Sequence, residues 1–158
     1  MLSIEFTPEL GRDTPPELES AALRGEINWA ELSTLLLRYT YFIYPVTLTA
    51  DDTEIISQNR LPLIDFMFCL AYSVEELRET GKGGISFTED SSEIHISLKS
   101  DRLVFSPTWA EPVNASCGVE EYTRAVSRFI RSGVQVVVDR YPEMGNNPAI
   151  HELRNAAL

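Results

Sequence analysis

Gly84–Pro107, GISFTEDSSEIHISLKSDRLVFSP, decides how the chain is read. Ile94, Ile96 and Leu98 alternate with Glu93, His95, Ser97 and Lys99, the period-2 pattern of a strand with one buried face. A two-residue turn at Ser100-Asp101 sets Leu98 opposite Leu103 and Ile96 opposite Phe105. A four-residue loop at Glu89–Ser92 sets Phe87 opposite Ile94 and Ile85 opposite Ile96. In that register every apolar partner falls on one face, and a slip of one residue would expose them all. The other face collects Ser86, Thr88, His95, Ser97, Lys99 and Arg102. The stretch reads as three strands of a meander with a dry side and a wet side.

Upstream, LPLIDFMFCLAYSVEELRET (61–80) is the strongest helix pattern in the chain. Leu63, Phe66, Met67, Leu70, Val74 and Leu77 keep helical spacing, Pro62 opens the run and Gly81 stops it. Its apolar first half suits burial against the dry face of the meander. Leu2–Thr7 alternates as a short strand. Thr14 can cap a helix running to about Arg24, with Pro15 at its first position and Glu17 closing a capping box. A second helix is expected from Asn28 to Arg38, with Leu32, Leu35, Leu36 and Tyr39 as its apolar stripe. Tyr41–Thr49 favours a strand, and Pro45 places it at an edge or at a bulge. Asp51-Asp52 turns the chain into a return strand, Thr53–Ser57.

Thr108–Gly118 reads as a loop, and Val119 begins a helix. In SGVQVVVDRYP the valines favour a strand. Phe129, Gly133, Val137 and Tyr141 nevertheless continue one helical row, so the helix is extended to about Tyr141. Asn147-Pro148 starts a last short helix. The sum is one α+β domain over residues 1–158: an antiparallel meander of five to six strands covered on one face by helices.

A net charge of −11 disfavours nucleic acid, which needs clustered Lys and Arg, and anionic membrane surfaces. It favours encounter with a basic partner. No apolar run approaches the roughly 20 residues of a bilayer span, and the N-terminus lacks the pattern of a signal peptide. The two cysteines, Cys69 and Cys117, have no metal-ligand spacing, and a reduced, cytoplasmic setting is expected.

Catalytic signatures are missing. His95 sits mid-strand, flanked across the ladder by Ser86 and Ser106. A small enzyme or ligand-binding domain would use it as a general base on the polar sheet face; the simpler reading is a surface histidine. Asp51, Asp52 and Glu54, and separately Glu89 and Asp90, are acidic clusters in predicted turns. Turn chemistry explains them better than a metal site, and neither a metal nor another cofactor is expected. Arg124, Arg128 and Arg131 form a stripe, expected to meet the chain's own carboxylates or solvent.

Four stretches carry a resemblance: ADDTEIIS (50–57), LPLIDFMFCLAYSVEELRETG (61–81), ISFTEDSSEIHISL (85–98) and EEYTRAVSRFIRSGVQVVVDRYPEMGNNPAIHELR (120–154). In their order the chain resembles a group of small bacterial proteins, some of which stand beside polymorphic toxins as immunity proteins. The resemblance implies a non-enzymatic inhibitor that neutralises a cognate toxin by blocking its site. Asp51, Asp52, Glu54, Glu89, Asp90 and His95 are then the residues expected to face a basic protein partner.

Overall fold

The computed structural model describes residues 1–87, 90–110 and 115–158. Helices and antiparallel strands build an α+β fold, but the strands form two sheets and not one meander. The first sheet has the order β1 (Leu2–Phe6), β2 (Ile43–Ala50), β3 (Thr53–Pro62). The second has the order β4 (Lys82–Ser86), β5 (Glu93–Lys99), β6 (Arg102–Pro107), β7 (Ser116–Gly118).

In the first sheet β2 is central, and its alternate residues Tyr44, Val46, Leu48 and Ala50 are all buried. Pro45 was expected to mark an edge or a bulge; the strand is central, and its register with β3 shifts just beyond Pro45, between Val46 and Leu48. Its missing donor is tolerated in a central strand because the pairing of β1 ends at Phe6 opposite Val46. The Pro45 carbonyl accepts the Thr7 N–H at 2.9 Å. Asp51 and Asp52 both adopt positive φ (48° and 62°), as a tight hairpin turn demands and as aspartate tolerates better than most residues. β3 runs to Pro62, well past the expected end at Ser57. A bulge at Gln58 (φ 51°) breaks its alternation, and the Gln58 N–H turns to Thr47 Oγ1 at 3.2 Å. A bulged, polar edge strand gives no period-2 signal.

In the second sheet β5 and β6 pair as read, Leu98 with Leu103 and Ile96 with Phe105. β4 is displaced by two residues from the expected register: Ile85 lies opposite Ile94, and Phe87 has left the strand. A two-residue shift leaves every side chain on its original face, so the apolar pattern cannot detect it. Packing sets the choice. Gly81 (φ 73°) ends the preceding helix in the left-handed region, and β4 starts at the next residue. A Cβ on Gly83 would lie 2.8 Å from the Ser73 carbonyl oxygen, so only glycine lets the strand press onto that helix. Leu98, expected on the dry face, is 44% exposed at the sheet's end. β7 occupies part of the expected loop.

The helix at the centre is α3 (Leu63–Thr80), buried from Leu63 to Phe68 and wedged between the two sheets and α4 (Val119–Arg140). The valine run of α4 is helical, as its row predicts. A Cβ on Gly133 would meet Met67 Sδ at 2.5 Å, where α3 and α4 cross, so a side chain there would oblige Met67 to move. α5 (Pro148–Ala156) is capped by Asn147, which accepts the Ala149 N–H at 2.9 Å and donates to the Trp29 and Leu32 carbonyls.

Two N-terminal readings are corrected. α1 (Pro16–Leu23) is not capped by Thr14, whose hydroxyl meets Tyr141 Oη at 3.4 Å. α2 covers only Thr34–Tyr39, capped by Ser33, and buries Leu37. Leu35 and Leu36 of the expected stripe face outward, Leu35 at 67% exposure. Asn28 and Glu31 instead bond each other in a preceding turn.

Candidate functional site: a cleft between the two sheets

The outer half of β3, the first turns of α3, the β4–β5 connection and the chain after β6 enclose a cleft of about 380 Å³. That volume lies at the lower end of small-ligand pockets, about 300–1,000 Å³. Ile56, Leu61, Phe66, Phe87 and Trp109 supply its apolar wall, and Arg60, Asp65, Cys69, Ser86, Asp90 and Ser92 its polar groups. The Phe87 and Trp109 rings meet edge to face at 5.7 Å, and Trp109 stays 47% exposed.

Asp65 sits in the first turn of α3, where a carboxylate suits the helix dipole, and is 6% exposed. Arg38 of α2 donates to its Oδ1 through Nε (2.8 Å) and Nη2 (2.6 Å). The guanidinium lies over Phe68 at 5.0 Å, Tyr39 at 5.5 Å and Tyr72 at 5.9 Å. Burial works against the Arg38 charge, but the Asp65 bond and charge outweigh it and hold the pKa above its ordinary value. This ion pair pins the short α2 to α3.

Cys69, one turn along from Asp65, places its thiol in the cleft wall, 4.0 Å from Asp65 Oδ2 and 3.6 Å from the Ser86 carbonyl oxygen. Burial first, and then the Asp65 charge, push it up to about 11. At neutral pH it is a thiol and not a thiolate, so it is a poor nucleophile. Arg60 is turned outward: Nη1 bonds Glu9 and Nη2 donates to the Ile43 carbonyl at 3.1 Å. Asp90 Oδ1 accepts the Ser92 N–H at 2.7 Å, and the Ser92 contacts lower its pKa, so it stays ionised.

Of the six residues expected at a site, Asp90 alone is seen at the cleft; Glu89 lies outside the described residues. Asp51 is turned onto the chain itself. Its Oδ1 meets the N-terminal ammonium at 3.3 Å, and its Oδ2 accepts the Ser116 N–H and Oγ–H, each at 3.2 Å. Arg102 Nη2 stands 3.9 Å away. Asp52 is exposed, and Glu54 accepts the Ser57 hydroxyl at 2.9 Å.

The two turns also lie at opposite ends of the second sheet. Asp51 stands by Arg102 at the start of β6, whereas Asp90 belongs with the Glu93–Thr108 contacts at its end. Six strand residues, roughly 20 Å, separate them.

His95 is opposite Gly84 and Ser106, not Ser86, because of the register shift. Its side chain is 57% exposed, with Glu93 Oε2 at 3.7 Å from Nε2, and it does not line the cleft. A general base there would act on an open surface, without the concave site such chemistry uses.

In the arginine stripe, Arg124 pairs with Glu120 at 2.9 Å and Arg131 donates to the Ala157 carbonyl at 2.9 Å. Among the described residues no three His, Cys, Asp or Glu side chains are placed to hold a metal, and no helix is long and apolar enough to cross a membrane.

Sequence reading missed most of the cleft. Asp65 and Phe66 read as a helix start and as core, and Asn59–Leu61 lay beyond the expected strand end. Trp109 was the one available signal, a large aromatic in a segment with no apolar period to bury it. Comparison with protein-family models, with curated proteins and with solved structures gives no match.

Proposed function

We propose that this chain is a non-enzymatic, cytoplasmic protein-binding module of the immunity type, which neutralises a cognate bacterial toxin by covering a basic surface. The observation that carries the reading is the fate of the charges. Arg12, Arg24, Arg38, Arg60, Arg102, Arg124 and Arg140 each engage a carboxylate of the same chain. Glu75, Glu76 and Glu79, together on the outer face of α3, are exposed and form no ion pair among the described residues. Seven of the 13 cations are thus answered by carboxylates of the same chain, most of them at the surface, and the net charge of −11 is left over, a balance that speeds encounter with a basic protein and repels polyanions. The reactive groups are not assembled: Cys69 holds its proton, and His95 lies outside the cleft.

Sequencing the genes beside this one, and co-expression with any toxin domain found there, test the reading. The expected result is a stoichiometric complex and restored growth. A toxin that still kills, or isolation from the native host that returns only metabolites or nucleic acid, overturns it.

A further inference from the structure

We propose that the partner is held along the outer edge of β1, where an extended segment of the partner protein adds to the first sheet and sets one carboxylate side chain on Arg128. The inference rests on the binding reading above and gives it a location.

The register decides which backbone groups are open. The Asp51 N–H donates to the Met1 carbonyl and the Thr7 N–H to the Pro45 carbonyl, so the odd-numbered residues of β1 carry the ladder to β2. The N–H and C=O groups of Leu2, Ile4 and Phe6 therefore point away from β2. Glu121 Oε1 of α4 accepts the Leu2 N–H at 2.6 Å. The N–H groups of Ile4 and Phe6 have no partner among the described residues, and β1 has no second neighbour in its sheet. Open groups two residues apart, about 7 Å along the strand, are a template that an extended backbone matches group for group.

The other edges are guarded. β3 carries the Gln58 bulge, exposed Glu54 and Arg60, and a terminal Pro62. α3 lies against β4, and β7 is three residues long. β1 has an unbroken register, no proline and no lysine.

There is also room for a strand. α4 runs beside β1 in the same direction, with Glu121 at Leu2 and the Phe129 ring 5.3 Å from that of Phe6. Four strand residues and eight helical ones rise by similar amounts, about 13 and 12 Å. Two hollows of about 300 and 410 Å³ lie along this boundary, and Arg128 lines both. Arg128 is exposed and forms no ion pair among the described residues, whereas Arg124 is held by Glu120 at 2.9 Å. The acids nearby are already engaged. Glu121 accepts the Leu2 and Gly118 N–H groups, and Glu5, on the opposite face of β1, accepts the Ser3 hydroxyl. Side chains of an added strand that face α4 therefore meet a free cation, which a carboxylate answers.

Acetyl-Val-Thr-Glu-Thr-Val amide, added to isotope-labelled protein, is the probe. It should shift the Ile4 and Phe6 amide resonances saturably and leave Asn59 and Arg60, on the edge of β3, in place. Methylating the glutamate nitrogen removes its donor to the edge and should weaken binding about fivefold or more. Arg128→Gln, or glutamine in place of the peptide's glutamate, should each weaken it about twofold to fivefold.

No shift at Ile4 and Phe6, equal binding of the methylated peptide, or indifference to Arg128→Gln overturns the proposal. Shifts of the same amides with protein concentration alone also overturn it, since a second copy would then occupy the edge. In the complex with the partner, hydrogen exchange at Ile4 and Phe6 should slow about tenfold or more. A complex in which those amides exchange as before removes the docking edge and leaves the binding function standing. Failure of the complex removes the binding function, and the peptide titration then judges the edge by itself.

Discussion

The β2–β3 turn and the β4–β5 connection share a composition, aspartate beside serine, threonine or glutamate, and put it to opposite uses. Asp51 is held by the N-terminal ammonium, by Ser116 of β7 and by the neighbourhood of Arg102, and so ties the two sheets together. Asp90 bonds Ser92, two residues on, and otherwise looks onto the cleft. Turn propensity placed both residues. Long-range partners decided that one became a clamp and the other an open charge, and nothing in the local sequence separates them.

The comparison makes stability depend on where an aspartate points. Asp13 is its extreme case: 1% exposed, bonded by the Tyr44 hydroxyl and by Arg140 Nε at 2.8 Å. Asp13→Ala leaves a buried phenol without its acceptor and should cost about 2–4 kcal/mol in urea denaturation. A loss below about 0.5 kcal/mol would break the link between inward contacts and stability.

Gly83→Ala comes next, at about 1–3 kcal/mol, because its Cβ meets backbone and cannot be accommodated by a rotamer change. A neutral result would mean that β4 is not pressed on α3, and the register that brings Ser86 and Phe87 to the cleft would lose its cause.

Asp51→Asn should lower the melting temperature modestly, with a defined pH dependence. The N-terminal ammonium, then Ser116, hold the Asp51 pKa below its ordinary 3.8. A lowered carboxylate stabilises the fold above its unfolded value and loses that contribution as pH falls through the folded one. The gap between wild type and variant should therefore be full at pH 7 and close below about pH 4. A gap that persists in acid would mean Asp51 acts through shape and not charge. Asp90→Asn should have the smallest effect, since the amide oxygen can still accept the Ser92 N–H.

The legible parts of the fold were those written in an uninterrupted period. The β5–β6 pairing followed from alternation, and the whole of α4 from one row of residues through Gly133. Three other features were fixed by contacts distant in sequence. The two-residue offset of β4 depends on the Ser73 carbonyl against Gly83, and α2 faces inward by Leu37 because Arg38 must reach Asp65. The continuation of β3 passes through a bulge whose donor finds Thr47. The cleft was the least legible, since its walls come from four segments that each looked structural alone. Asp51 and Asp52 did form a turn, but Asp51 and Asp90 stand at opposite ends of a sheet.

Association kinetics with the proposed basic partner, measured at two ionic strengths, test the central claim most directly. If exposed carboxylates steer a basic partner, Asp90→Asn should slow association and flatten its salt dependence. Asp51→Asn, whose charge is already answered within the chain, should change the on-rate less. Unchanged on-rates and salt slopes in both variants would contradict the account, and the surface charge would then serve solubility alone.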